Sequence, residues 1–154
     1  MKKLLIALSF AAFAALPAQA DGNFGIKLGQ LSGDGDTGAA TQVGLVYTWD
    51  FVGLFGAEFE LNTSAAKGEF GPIEYGVTQL GGYGVVMSPG PFYFKGKLGV
   101  TYSDTDLAGV DASADLAYGV GFGAELVGFV WELEWTRSKI DSIDVDFISV
   151  SMKF

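Results

Sequence analysis

From Asn23 to the last residue, apolar and non-apolar positions alternate with a period of two, in segments separated by clusters of Gly, Asp, Ser and Pro. Such alternation marks a β-strand whose two faces meet different surroundings. The first segment sets Phe24, Ile26 and Leu28 against Gly25, Lys27 and Gly29. The second sets Val43, Leu45, Tyr47 and Trp49 against Gln42, Gly44 and Thr48, and the third sets Phe55, Ala57, Phe59 and Leu61 against Gly56, Glu58 and Glu60. In the fourth, Tyr75, Val77, Tyr83 and Val85 share a parity with Gln79, so a bulge or an interface position is expected there.

The second half is sharper. Phe92, Phe94, Leu98, Val100 and Tyr102 alternate with Tyr93, Lys95, Lys97, Gly99 and Thr101. Leu116 to Leu126 alternates apolar residues with Ala117, Gly119, Gly121, Gly123 and Glu125. Phe129, Trp131, Leu133 and Trp135 face away from Glu132 and Glu134. The last segment sets Ile148, Val150, Met152 and Phe154 against Ser149, Ser151 and Lys153. Upstream, Ile143, Val145 and Phe147 have the opposite parity, which predicts a bulge near Phe147 or a strand that leaves the bilayer there.

Eight such segments, each about the 9–11 residues a tilted strand needs to cross the hydrocarbon layer, predict an all-β chain. Its connections alternate. Short ones lie near Asp50-Phe51, Ser88-Pro89-Gly90 and Val127-Gly128, and longer polar ones at Ser32 to Gly38, Asn62 to Pro72, Ser103 to Ala114 and Arg137 to Ser142. The architecture expected is an eight-stranded antiparallel up-and-down transmembrane β-barrel, with short turns and termini facing the periplasm.

A soluble sandwich also alternates, so the chemistry of each face decides. Here the non-apolar face is mostly glycine and alanine with a few charges, a poor solvent face but a suitable narrow interior. The apolar face carries aromatic residues near both strand ends. Trp49, Phe55, Phe92, Phe94, Phe129 and Trp131 lie near the short turns, and Tyr75, Tyr102, Tyr118 and Trp135 lie toward the long loops. Two such girdles suit the two membrane interfaces. In lipid no backbone group can go unpaired, so the sheet must close.

The first twenty residues read as processing signal. Lys2 and Lys3 form a basic start, Leu4 to Leu16 is too short to span a bilayer, and Ala18-Gln19-Ala20 is a small-x-small cleavage pattern. Cleavage between Ala20 and Asp21 leaves residues 21–154 as the barrel domain, with seven cationic residues against 18 acidic ones, a net charge of about −11. So acidic a chain is expected to repel nucleic acid and anionic lipid surfaces unless divalent cations intervene.

Over essentially all of residues 21–154, and most specifically in the ending Ile148-Ser149-Val150-Ser151-Met152-Lys153-Phe154, the sequence resembles the OmpA/OmpX-like small bacterial outer-membrane β-barrels. The resemblance implies residence in the outer membrane and contact with lipid and lipopolysaccharide. It also implies that Ile148, Val150, Met152 and Phe154 serve as a C-terminal assembly signal read by the barrel-assembly machinery. A monomer is expected. No periplasmic peptidoglycan-binding domain is expected after the barrel, so cell-wall anchoring is not carried over.

The interior parity collects Lys27, Glu58, Glu60, Lys95, Lys97, Glu125, Glu132 and Glu134, five acids facing three bases. Paired carboxylates can do acid–base work, but inside a barrel this narrow a structural ion-pair network is the expectation. No catalytic, cofactor or metal site is expected. The chain has no histidine, on which the enzymatic outer-membrane barrels (palmitoyltransferase, lipid A deacylase, phospholipase and omptin families) rely, and it has no cysteine. Loop acids include Asp34, Asp36, Glu69, Asp104, Asp106, Asp111 and Asp141. Ser32-Gly33-Asp34-Gly35-Asp36 lacks the spacing and terminal Glu of a calcium loop and reads as a solvated acidic loop. Divalent cations bridging these acids to lipopolysaccharide phosphates are an intermediate case. The functional expectation is a structural or surface-interaction barrel. The alternative is a small passage for ions or hydrophobic solutes, which glycine in the interior favours and the low strand number opposes.

Overall fold

The computed structural model describes residues 22–33, 38–70, 73–106, 109–140 and 143–154. The proposed signal segment, its Ala20–Asp21 junction, and Asp34, Asp36 and Asp141 lie outside the described residues. The chain forms β1 (Gly22–Gly33), β2 (Ala40–Val52), β3 (Phe55–Ala66), β4 (Gly68–Phe70), β5 (Ile73–Tyr75), β6 (Val77–Met87), β7 (Phe92–Thr105), β8 (Ser113–Leu126), β9 (Phe129–Ile140) and β10 (Ile143–Lys153). Eight of these close into one antiparallel barrel in the order β1-β10-β9-β8-β7-β6-β3-β2, with β1 pairing β2 to complete the ring. The short hairpin β4–β5 stands apart from the barrel sheet. Closure gives every spanning strand two partners, the condition a sheet in hydrocarbon must meet.

Bulky residues face outward. Phe92, Phe94, Leu98, Leu116 and Val120 are each at least 59% exposed, which is the wrong surface for water and the right one for acyl chains. Aromatic residues concentrate at the short-turn end, where Phe94 and Phe122 pack with centroids 5.6 Å apart and Phe24 meets Phe154 edge-on at 5.8 Å. Phe24 and Phe154 also exchange both backbone hydrogen bonds, so the first and last strands close the barrel at that rim.

The strands run longer than the alternation predicts, 11 to 14 residues in the barrel. The expected loop Arg137 to Ser142 is mostly strand, and Asn62 to Pro72 gives up its start to β3 and part of the rest to the β4–β5 hairpin. At the first short turn the chain reverses at Gly53-Leu54, not at Asp50-Phe51, because a register shift between Asp50 and Val52 carries β2 further. A second shift lies between Thr41 and Gln42.

Neither of the two irregular spots expected from the sequence is a bulge. The pairing of β6 with β3 and β7 passes through Gln79 without a shift, and β10 keeps register with β1 and β9 through Phe147. What changes is which face is apolar. Tyr75 at the end of β5 and Val77, Gln79, Tyr83 and Val85 on β6 point inward and are buried, and Leu80 and Val86 face outward with Gly82 and Gly84. Tyr75 therefore leaves the outer girdle, its hydroxyl donating to the Gly38 carbonyl at 3.0 Å. Val145 and Phe147 also point inward. With Leu31, Ala40, Tyr75, Val77 and Ile140 they form an apolar plug at the loop end of the barrel. Parity reports two faces but not which of them is apolar when the interior has its own apolar layer.

The β8–β9 turn is a two-residue connection in which Val127 and Gly128 both have positive φ, 54° and 79°. This backbone matches the twist of a hairpin, but a β-branched residue is poorly suited to it. Val127 is almost fully exposed and makes no compensating contact by burial. Val127→Asn is expected to stabilise the barrel by about 1 kcal/mol, read as a higher urea midpoint.

Candidate functional site: the charged barrel interior

Four lysines and four glutamates meet inside the barrel: Lys27, Lys95, Lys97 and Lys153 with Glu58, Glu60, Glu132 and Glu134. No side chain among them is more than 2% exposed. They sit in two tiers. Toward the short-turn end, Lys95 Nζ reaches Glu58 Oε2 at 2.9 Å and Glu132 Oε2 at 2.7 Å, and Lys153 Nζ reaches the same two oxygens at 2.9 and 2.8 Å. In the next tier, Lys27 Nζ lies 2.5 Å from Glu60 Oε1 and 2.7 Å from Glu134 Oε1, and Lys97 Nζ lies 2.6 and 2.5 Å from those oxygens. Lys95 also contacts Glu134 Oε2 at 2.5 Å and so joins the tiers.

Neutral groups complete the network. Thr48 donates to Glu58, Asn62 to Glu60, Thr136 to Glu134 and Tyr93 to Glu132, and Lys153 donates to Thr48. Lys97 also lies over the Tyr83 ring, 4.1 Å from its centroid. A charge in this interior has no bulk water to turn to, so each ammonium needs several oxygen partners.

The sheet register explains how long side chains fit in a narrow barrel. Lys97, Lys95 and Tyr93 on β7 stand opposite Gly119, Gly121 and Gly123 on β8. A Cβ at Gly119 would come within 3.1 Å of Lys97 Cε, and one at Gly121 within 3.6 Å of Lys95 Cε. Lys153 leans over Gly25 in the same way, a Cβ there falling 2.7 Å from Lys153 Cγ. The glycines thus seat lysine stems; they do not open a water-filled lumen.

The interior set read from sequence needs two changes. Glu125 has interior parity but sits in the last turn of register before the β8–β9 hairpin, where it is exposed, with its backbone N–H donating to the Pro91 carbonyl. Lys153, read only as a polar position of the final strand, is buried in the network. The result is four positive and four negative charges instead of three against five. Parity with Ser149 and Ser151 already placed Lys153 inside, and the charge imbalance was the signal that a base was missing and an acid was surplus. The assembly-signal residues Ile148, Val150 and Phe154 are exposed on the outer face, and Met152 is half-buried there.

Glu58, Glu60 and Glu134 bring carboxylate oxygens within 4.8 Å of one another, a spacing that suits a cation. Lys27, Lys95 and Lys97 already stand among them, so a metal ion would have to displace an ammonium group. Acid–base chemistry also finds no substrate access, because every carboxylate of the set is closed off from solvent.

At the loop end, Lys67 Nζ donates to Asp106 Oδ2 at 2.7 Å, and the Gly76 N–H donates to Asp106 Oδ1. These contacts tie the β4–β5 hairpin to the end of β7. The lysine hydrogen bond, and then the backbone N–H, hold the Asp106 carboxyl below its ordinary value of 3.8.

No family model matches the chain, and no curated protein sequence does. Solved structures do. Ail of Yersinia pestis shares 16% identity over 86% of this chain and 95% of its own, with a TM-score of 0.58. Neisserial surface protein A shares 11% over 86% and 94%, also at 0.58. The outer membrane enzyme PagL shares 12% over 86% and 98%, at 0.59. The fold is that of the small outer-membrane β-barrels. At these identities the likeness carries architecture and not activity, since the same fold serves both PagL and non-enzymatic barrels.

Lys153→Met is expected to destabilise the barrel by about 3–5 kcal/mol by leaving buried carboxylate charge uncompensated, while Glu125→Gln changes stability by less than about 0.5 kcal/mol. Urea unfolding of the protein in lipid vesicles checks both. Because the Asp106 carboxyl titrates lower in the folded chain, its contribution is present above about pH 4 and is lost as pH falls through the depressed value. An NMR titration is expected to place its midpoint below 3.8, and Asp106→Asn to speed hydrogen exchange at the Gly76 amide.

Proposed function

We propose that this chain is an integral outer-membrane barrel with a structural or surface-interaction role, its interior closed by the lysine–glutamate network. The observation that carries this reading is the filled lumen. Eight buried charges neutralise one another, their stems occupy the glycine faces, and an apolar plug covers them at the loop end. A continuous path for hydrated ions requires open polar space, which eight-stranded barrels filled by side chains do not have. The outward apolar face and the aromatic girdles support residence in a bilayer, and the neighbouring folds support the outer membrane as that bilayer. Outer-membrane lipid and lipopolysaccharide are the partners this surface fits, with the barrel-assembly machinery acting through the final strand and the barrel working as a monomer.

For surface interaction, charge narrows the class of partner. Ail has been solved with a heparin analogue, a sulfated polyanion. The loop end of this chain presents Glu69, Glu74, Asp104, Asp111 and Asp115, with Lys67 and Lys139 both engaged by aspartates. Such a surface favours cationic groups, or phosphates only through bridging divalent cations. Purified protein in planar bilayers is expected to show no stable single-channel steps. Reproducible steps would overturn the closed-barrel reading.

A further inference from the structure

Beside the charged network and beneath the apolar plug lie buried polar atoms that the protein does not satisfy. Gln42 is fully buried, and neither its amide nitrogen nor its amide oxygen has a hydrogen-bond partner. Asn62 Oδ1, Ser149 Oγ and Ser151 Oγ are likewise buried and without a partner. They belong together. Ser149 and Gln42 stand on either side of Gly29, one on β10 and one on β2. Ser151 and Gly44 flank Lys27 in the next interior row, and Gly44 stands opposite Asn62. These positions form two adjacent rows across β10, β1, β2 and β3. Phe147 roofs them, since a Cβ on Gly29 would fall 2.6 Å from Phe147 Cε2.

Glu134 Oε2, though 2.5 Å from Lys95 Nζ, is also buried without a hydrogen bond. Buried amides and hydroxyls are almost always hydrogen-bonded, and a neutral amide next to an ion-pair network whose charges already balance is a poor site for a charged ligand. Water is the ligand class that fits, since it donates and accepts and needs two to four polar partners in a small space. We propose that this layer is a sealed hydration site, in which ordered water molecules join the Gln42 amide to Asn62, Ser149 and Ser151. The charged network closes the site on one side and the Phe147 plug on the other, so its waters exchange slowly with bulk. The site then lies where the ion pairs at Glu60 meet the plug, with Lys27 Nζ 6.0 Å from the Phe147 ring centroid.

The test uses the full barrel in lipid nanodiscs with the Gln42 side chain isotopically labelled. Nuclear Overhauser contacts from long-lived water to the Gln42 amide protons are expected, and they are expected to weaken in Phe147→Ala, where the roof opens. Gln42→Met, which keeps volume and removes the polar atoms, is expected to lower the urea midpoint because it strips the waters of partners. Absence of water contacts at the wild-type amide overturns the proposal. So does a raised midpoint in Gln42→Met, the result for an amide buried without partners. Contacts to water that exchanges on the bulk timescale also overturn it, because the site would then be open. Ion conductance is a separate measurement and leaves these outcomes unchanged.

Discussion

The barrel depends on charge neutrality in a space that water cannot reach freely. Four ammonium groups and four carboxylates hold each other inside the strands, and each lysine touches two or more carboxylate oxygens. Removing any single partner strands a charge in low dielectric, where the desolvation cost is several kcal/mol. The strands that supply these residues are far apart in sequence: Lys27 on β1 meets Glu134 on β9, and Lys153 on β10 meets Glu58 on β3. The network therefore ties distant parts of the ring across its interior, while backbone hydrogen bonds tie neighbours around its wall.

Several other features follow from that requirement. A lysine stem is long, and the interior of an eight-stranded barrel is narrow, so the strand opposite must give up its side chains. β8 does so with glycines at 119, 121 and 123, and β1 does so with Gly25. The same small residues that suggest an empty lumen are thus part of how the lumen is filled. The apolar plug has a complementary cause. At the loop end no further lysine–glutamate pairs occur among the described residues, and aromatic and aliphatic groups fill the space, the one hydroxyl among them, that of Tyr75, being satisfied by the Gly38 carbonyl.

Function is constrained by the same arrangement. A filled, neutral interior leaves the outer face and the loop end as the surfaces that can meet anything else. The outer face is apolar and suits lipid. The loop end is acidic and braced by the Asp106 contacts to Lys67 and Gly76, which hold the β4–β5 hairpin against β7 while Tyr75 reaches across to Gly38. The likeness to both an enzyme and non-enzymatic barrels shows how little the wall of such a fold says about its task.

The sequence by itself determined the wall. Period-two alternation with bulky residues on one face and glycine on the other specifies strands that meet lipid outside and a narrow interior inside, because a strand side chain has only two directions to choose from. It also named seven of the eight buried charges, since Lys, Glu and the interior parity coincide at those positions. Tertiary structure decided what parity cannot. Whether an interior position is deep or at a rim depends on register between strands, which put Glu125 into solvent and Lys153 into the network. Whether an apolar stripe faces lipid or a second core depends on what the other strands bring to the same level, which turned Tyr75, Val77, Val145 and Phe147 inward without any bulge. Local pattern fixes a face. Only the closed ring fixes what that face meets.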